Sequence, residues 1–347
     1  MKPYFPFYQV FILTVCCLFL PNCRDTIELV PKKDQLEGIS IQGKLIMGAP
    51  SEVRVKVERL FTFSGESRKF LAIASVSILN EKGQEFFLKK NNSITDYIGF
   101  IETDDPDFAI STNQSFYCRV VMEDGNTYES APEMLLSVPP IGSLEFELIQ
   151  KNVRNLIGDF QPADFIRFKV SSPLKVADSA SKSNLRWEIF RTYKAPGFAQ
   201  NNPFGDCIIT GVPDFSLVEV LKGNQVAGDT IFRYELYDAF VNFFFANTYY
   251  LSVYQESLTD NAFQYWSELS QLSNRNGNQF EPVPGVIRGN FENVTNPDET
   301  VYGFFYATSQ QFDYIRVCPS DLNFRPSPLP ILDCPSDGVP AFWEECE

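Results

Sequence analysis

The 347-residue sequence contains no histidine. That absence removes Ser-His-Asp and Cys-His nucleophilic catalysis, zincin-type metal sites and the two-histidine iron site together. Positive charge is also scarce. The chain has 29 Lys and Arg against 44 Asp and Glu, for a formal charge of −15. Such a surface repels a phosphate backbone, so nucleic acid is not an expected partner. Gly-x-Ser-x-Gly, Gly-x-x-x-x-Gly-Lys-Ser/Thr and Gly-x-Gly-x-x-Gly are all missing, which leaves no local sign of a nucleophile elbow, a phosphate loop or a dinucleotide site. With no motif asking for a cofactor or metal, the expectation is a non-catalytic protein with neither.

Long apolar runs are missing too. A membrane-spanning helix takes roughly 20 apolar residues. The N-terminal run Phe11 to Leu20 has ten, preceded only by Lys2 in charge, and ends at Pro21-Asn22-Cys23 before Arg24-Asp25. Its length and place fit the apolar core of an export signal. An apolar run ending at a cysteine resembles a bacterial lipoprotein signal. Residues 1–22 are therefore read as a signal peptide and Cys23 as the lipidated residue, although Asn22 is bulkier than the usual small residue there. Ordinary cleavage, or a disulfide role for Cys23, is the alternative. Removing residues 1–22 leaves 28 cations against 44 acids, a charge of −16. Anionic lipid would repel that surface, so the acyl chains must supply the attachment.

What the chain has in quantity is apolar and aromatic side chains. Hydrophobic residues make up 44% and include 33 phenylalanines, so it can bury a sizeable core. The patterning is that of strands. Val53, Val55 and Val57 alternate with Arg54, Lys56 and Glu58, and Ile73 to Leu79 alternates before the Asn80-Glu-Lys-Gly83 turn. Phe116 to Met122 and Thr127 to Ser130 flank Glu123-Asp-Gly-Asn126, a hairpin signature because Asp-Gly tolerates positive φ. Arg186 to Arg191, Phe232 to Tyr237 and Tyr250 to Tyr254 alternate as well. Pro196 to Pro203 and Lys222 to Asn224 read as loops.

One helix is expected between about 260 and 273, where Ala262, Tyr265, Trp266, Leu269 and Leu272 form one apolar face. Ser257, Thr259 or Asp260 would cap its start, and Asn276-Gly277 would close it. The fold class is therefore mainly β. An immunoglobulin-like β-sandwich over 23–140 is followed by a larger strand-rich domain over 141–317 that carries the helix, with a Cys- and Pro-rich tail over 318–347.

Besides Cys23, the chain after residue 22 holds Cys118, Cys207, Cys318, Cys334 and Cys346. A tail without a core of its own gains most from cross-links, so two bridges among Cys207, Cys318, Cys334 and Cys346 are expected, with Cys118 the spare in a strand. Spacings of 16 and 12 residues between the last three offer no Cys-x-x-Cys pair for zinc. The acids Glu102, Asp104, Asp105 and Asp107 lack the register of a calcium loop and read as a solvated turn. Phe243, Phe244 and Phe245 sit in an aromatic stretch from Phe240 that suits a buried strand or a strand plus an apolar loop. If exposed, they would mark a partner surface.

The last third carries a recognisable order of motifs. Ala262-Phe-Gln-Tyr-Trp266 and Glu268-Leu269 are followed by Phe280-Glu-Pro-Val-Pro284, Gly289-Asn-Phe-Glu-Asn293 and Asn296-Pro-Asp-Glu299. Val301-Tyr-Gly-Phe-Phe-Tyr-Ala-Thr-Ser309 and Pro340-Ala-Phe-Trp343 complete the order. With Tyr128-Glu-Ser130 and Cys207, these resemble the Bacteroidota outer-membrane lipoproteins grouped as domain of unknown function 4249. The resemblance implies a lipid-anchored protein at the outer membrane, exposed at the cell surface and encoded beside TonB-dependent transporters. It implies an accessory role to an outer-membrane β-barrel, either such a transporter or an assembly barrel. A surface module that captures glycan or peptide is the alternative. No catalytic residues are carried over. In that setting Asp25-Thr-Ile27, Asp178-Ser-Ala180 and Asp229-Thr-Ile231 resemble O-glycosylation triplets.

Overall fold

The alternating valines of the first half form the centre of a sheet. β1 (Ile39–Met47) and β2 (Ser51–Arg59) pair antiparallel, with Leu45 opposite Val53 and Ile41 opposite Val57, and all four side chains are buried. This is seen in a computed structural model that describes residues 38–60, 71–91, 95–103, 105–154, 158–177, 179–199, 202–213, 218–273, 287, 289–322, 326, 332–333 and 339–346. Cys23 and the rest of the signal lie outside the described residues, as do Cys334, Asp104 and Asn276-Gly277.

The remaining first-half strands are β3 (Ile73–Asn80), β4 (Glu85–Phe87), β5 (Lys89–Lys90), β6 (Asp96–Ile101), β7 (Ser115–Met122), β8 (Thr127–Ser130) and β9 (Glu133–Met134). Gly125, at φ +92°, makes the turn between β7 and β8, as the Asp-Gly pair predicts. The second half continues with β10 (Ser143–Arg154), β11 (Phe160–Pro173), β12 (Asn184–Ala199), β13 (Asn202–Gly211), β14 (Glu219–Leu221), β15 (Thr230–Phe240) and β16 (Tyr249–Leu258). Helix α1 (Asp260–Ser273) follows, then β17 (Phe291–Asn293), β18 (Val301–Tyr302), β19 (Phe305–Val317) and β20 (Leu332–Asp333). Thr259 caps α1, its Oγ1 accepting from the Ala262 N–H at 3.1 Å.

These strands make three sheets. The large one runs β13-β12-β16-β19-β1-β2-β6-β5, with β14 and β20 on β12 and β18 on β1. A six-stranded sheet, β17-β8-β7-β3-β4 with β9 on β7, shares one core with β1, β2 and β6. A three-stranded sheet, β10-β11-β15, shares a second core with β12 and β16. Both lie against the same face of the large sheet. β19 shows this, since its odd positions Phe305 and Ala307 enter the first core while Ile315 and Val317 enter the second.

The first core is built largely from residues before Pro139-Pro140 and the second largely from residues after it. The boundary does not divide the sheet, however. β19 pairs parallel with β1, and β17, β18 and β19 complete the first sandwich from the far end of the chain, so the twenty described strands belong to one compact unit. Pro196 to Pro203 also departs from its reading as a loop. Strand β12 continues through Ala199 and β13 begins at Asn202, with Pro196 opposite Asp206. The β16 partner of β12 ends at Tyr193 and β20 joins only at Gly197, so Pro196 falls in a gap of the ladder, where a proline is tolerated.

Candidate functional site

The opposite face of the large sheet carries polar and aromatic residues, and α1 lies across part of it. Leu258, Ala262, Tyr265, Phe304 and Tyr306 form a third, smaller core beneath the helix. Beside that core, strand register brings charges together. Arg186 lies directly opposite Glu256 across β12 and β16, Lys44 opposite Tyr306 across β1 and β19, and Glu188 two residues beyond Arg186. Arg186 Nη1 donates to Glu188 and Glu256, each at 2.8 Å, and to the Tyr306 hydroxyl at 3.0 Å. Lys44 pairs with Glu188 at 2.9 Å and also with Glu256. Gln310 Nε2 donates to Glu256 at 2.9 Å, and the Arg186 guanidinium lies 3.8 Å from the Trp266 ring centroid.

Two cations and two carboxylates give this cluster no net charge, which is the condition under which buried charges persist. Glu256 is fully buried. Burial alone would raise the Glu188 carboxyl, but Arg186 and Lys44 outweigh it and hold the group below the usual carboxylate range. Burial pushes the Tyr306 hydroxyl well up, and the carboxylates around Arg186 raise its guanidinium against the opposing effect of burial. None of these three is poised to exchange a proton near neutrality, so the cluster acts as a polar tie between helix and sheet. Next to it is a cavity of about 630 Å³ walled by Tyr265, Trp266 and Leu269 of α1 and floored by Gln42, Lys44, Arg54 and Lys56.

Phe243, Phe244 and Phe245, a partner surface only if exposed, are split by a single turn of 3-10 helix, nucleated by Asn242, whose side chain accepts from the Phe244 N–H. Phe245 is buried and stacks on Tyr249 at 4.1 Å between ring centroids. Phe244 packs on Tyr193 at 4.6 Å and under the Arg191 guanidinium at 4.0 Å. Phe243 is 41% exposed. Its exposed neighbour along the chain is Phe240, whose ring meets Phe165 at 5.4 Å on the outer face of β11 and β15. The rest of that outer face is a ladder of ion pairs, Arg167 with Asp238 and Glu235, Lys169 with Glu147, and Arg233 with Glu145 and Glu147.

Of the cysteines, Cys318 and Cys346 are bonded, Cys207 is buried and disulfide-bonded, and Cys118 is a free thiol buried in β7. The Cys318–Cys346 bond holds the chain end against β16. There Trp343 packs on Tyr250 at 5.3 Å, Phe342 stacks on Tyr314 at 4.7 Å, and Lys194 pairs with Glu345 at 2.9 Å. The described part of the acidic turn is held by its own backbone, with the Asp107 and Phe108 N–H groups donating to Asp105. No group of three metal-ligating side chains occurs among the described residues.

Comparison with protein families settles the relationship. The family model described as Domain of unknown function (DUF4249) matches residues 25–312. The chain belongs to the DUF4249 family. No curated protein matches it.

The DUF4249 motifs of the last third act as a backbone buckle. A Cβ on Gly289 would stand 1.7 Å from the Gly303 carbonyl oxygen, and one on Gly303, at φ +96°, would stand 2.0 Å from that of Ile41. Three chain segments therefore touch through glycine. Asn290 replaces a missing strand partner, donating to the Phe305 carbonyl and accepting from the Phe305 N–H, both at 2.8 Å. Asn293 donates to Glu299 at 2.6 Å and accepts from the Thr295 and Asn296 N–H groups, while the Tyr128 hydroxyl donates to Glu299. Ser130 Oγ accepts from the Cys118 N–H at 2.9 Å. These motif residues close the junction of β19 and β1, while the cavity floor comes from residues outside them.

Proposed function

We propose that this DUF4249 protein is a non-catalytic lipoprotein of the outer membrane, tethered through Cys23 at the cell surface. In this reading it serves as an accessory subunit of a β-barrel complex, foremost a TonB-dependent transporter of a Bacteroidota cell. The observation that supports it is the aromatic end of the three-stranded sheet. Phe240 and Phe243 stand exposed three residues apart in the chain, with the Phe240 ring against Phe165, at the end of a sheet face otherwise covered by ion pairs. Clustered aromatic side chains of that size are seldom left in water without a partner, and aromatics are the residues that anchor protein interfaces.

A second reading, a surface module for glycan or peptide, draws on a different feature. Phe312 and Tyr314 are each more than 40% exposed on the outer face of β19, with Tyr254 and Phe342 beside them. Tagged protein extracted from native outer membranes in mild detergent separates the two. The accessory reading predicts a stoichiometric barrel protein in the eluate, lost when Phe240→Ser and Phe243→Ser are combined. A lone lipoprotein that binds an oligosaccharide or peptide in isolation favours the second reading, and a barrel of the assembly machinery in the eluate changes the partner's identity.

A further inference from the structure

The cavity under α1 has a chemistry that neither docking surface uses. Its floor is cationic in a chain whose overall charge is −15. Lys44 and Arg54 are directly opposite each other across β1 and β2, and Lys56 is opposite Gln42, so three cations occupy four neighbouring positions of one sheet face. Like charges directly opposite in an antiparallel pair destabilise it, so this arrangement costs the fold something.

Lys44 is committed to Glu188 and Glu256. Arg54 and Lys56 are not held in the same way. Their side chains are 69% and 46% exposed, and their partners Glu52 and Glu58, 23% and 42% exposed, lie two residues away on the same strand. Exposed pairs of this kind hold their partners weakly, and an incoming anion can displace them. The acids in the lining are Asp96, opposite Lys56, and Glu188, already neutralised by Arg186 and Lys44.

The other wall is apolar and comes from Tyr265, Trp266, Leu269 and Phe304. One face of the Tyr265 ring is stacked on Phe304 at 4.8 Å, and one face of Trp266 is taken by Arg186. These rings form a packed wall and not an open platform of the kind on which a sugar ring stacks. A volume near 630 Å³ falls in the range of pockets that enclose a small organic molecule.

We propose that this cavity binds a small organic acid, its compact aromatic or branched apolar body against Tyr265, Trp266 and Leu269 and its single carboxylate between Arg54 and Lys56. The site is independent of the accessory-subunit reading and stands or falls without it.

The test uses the purified full-length protein and two isosteric probes, 2-naphthoate and its neutral counterpart 2-naphthamide, followed by titration calorimetry. The expected result is one naphthoate per chain, with the amide at least tenfold weaker. Arg54→Gln combined with Lys56→Gln brings naphthoate down to the amide's affinity and leaves the amide unchanged. Both positions are solvent-facing, so this variant retains its melting curve. Gln42→Trp, which fills the cavity from an exposed floor position, abolishes binding of both probes. Equal affinity for acid and amide, no binding of either, or binding that survives Gln42→Trp would each overturn the proposal.

Discussion

Glu133 offers the sharpest quantitative test of the packing between the helix and the first sandwich. Its side chain is almost completely buried, with one oxygen accepting from the Thr259 hydroxyl, the same hydroxyl that caps α1. Burial raises its carboxyl from 4.5 to about 7, with hydrogen bonds from Thr259 and Asn261 opposing the shift. Below about pH 4.5 both the folded and unfolded states are protonated and the group has no effect on stability. As pH rises from about 4.5 to about 7, the unfolded chain releases a proton that the folded protein still holds, so stability falls. Above about 7 the loss is complete and amounts to about 3 kcal/mol. Glu133→Gln keeps an acceptor for Thr259 and carries no charge. Urea unfolding curves from pH 4 to pH 9, with the disulfides intact, should show the variant about 3 kcal/mol more stable at pH 8.5, the gap closing towards pH 4. A gap that does not change with pH, or a variant less stable than the wild type at pH 8.5, would refute the reasoning.

Three further outcomes follow from the same packing. Gly303→Ala places a Cβ against the Ile41 carbonyl at a positive φ, and thermal or urea denaturation should show a loss of about 4 kcal/mol or failure to fold. Glu256→Ala leaves Lys44 and Arg186 with Glu188 as their only carboxylate in the cluster. It should cost about 3–5 kcal/mol by urea unfolding, while Glu52→Ala at the surface costs less than about 1. Cys346→Ser opens a cross-link spanning 28 residues and should lower stability by about 3–4 kcal/mol, with limited proteolysis cutting after Val317 first.

Local chemistry made much of this fold legible. The valine alternation places β2, the Asp-Gly pair places the β7–β8 hairpin, and the apolar spacing from Ala262 to Leu272 marks the helix that spans Asp260–Ser273. Each depends on neighbours within a few residues. The parallel pairing of β1 with β19 was not legible, because it joins Gly43 to Phe305 across most of the chain and parallel pairs leave no turn signature. The ionic cluster was missed for a related reason. In Arg186-Trp-Glu-Ile-Phe-Arg191 the alternation correctly sends Arg186 and Glu188 to the face opposite Trp187. Period two tells which face is polar, but not that the helix beginning at Asp260 will cover it. Glu256, the one charged residue of β16, was the local hint. The aromatic trio Phe243 to Phe245 shows the same limit, since one turn of 3-10 helix sends three like residues to three different environments.

The accessory-subunit reading is tested most directly by placing a photocrosslinking residue at Phe243 in the lipidated protein, irradiating native outer membranes and identifying the adducts by mass spectrometry. The same crosslinker at Glu81, in the exposed β3–β4 turn, reports random encounters. The account predicts one dominant adduct from position 243, with an outer-membrane β-barrel protein, and none from position 81. Adducts that are absent, or alike at both positions, would contradict it.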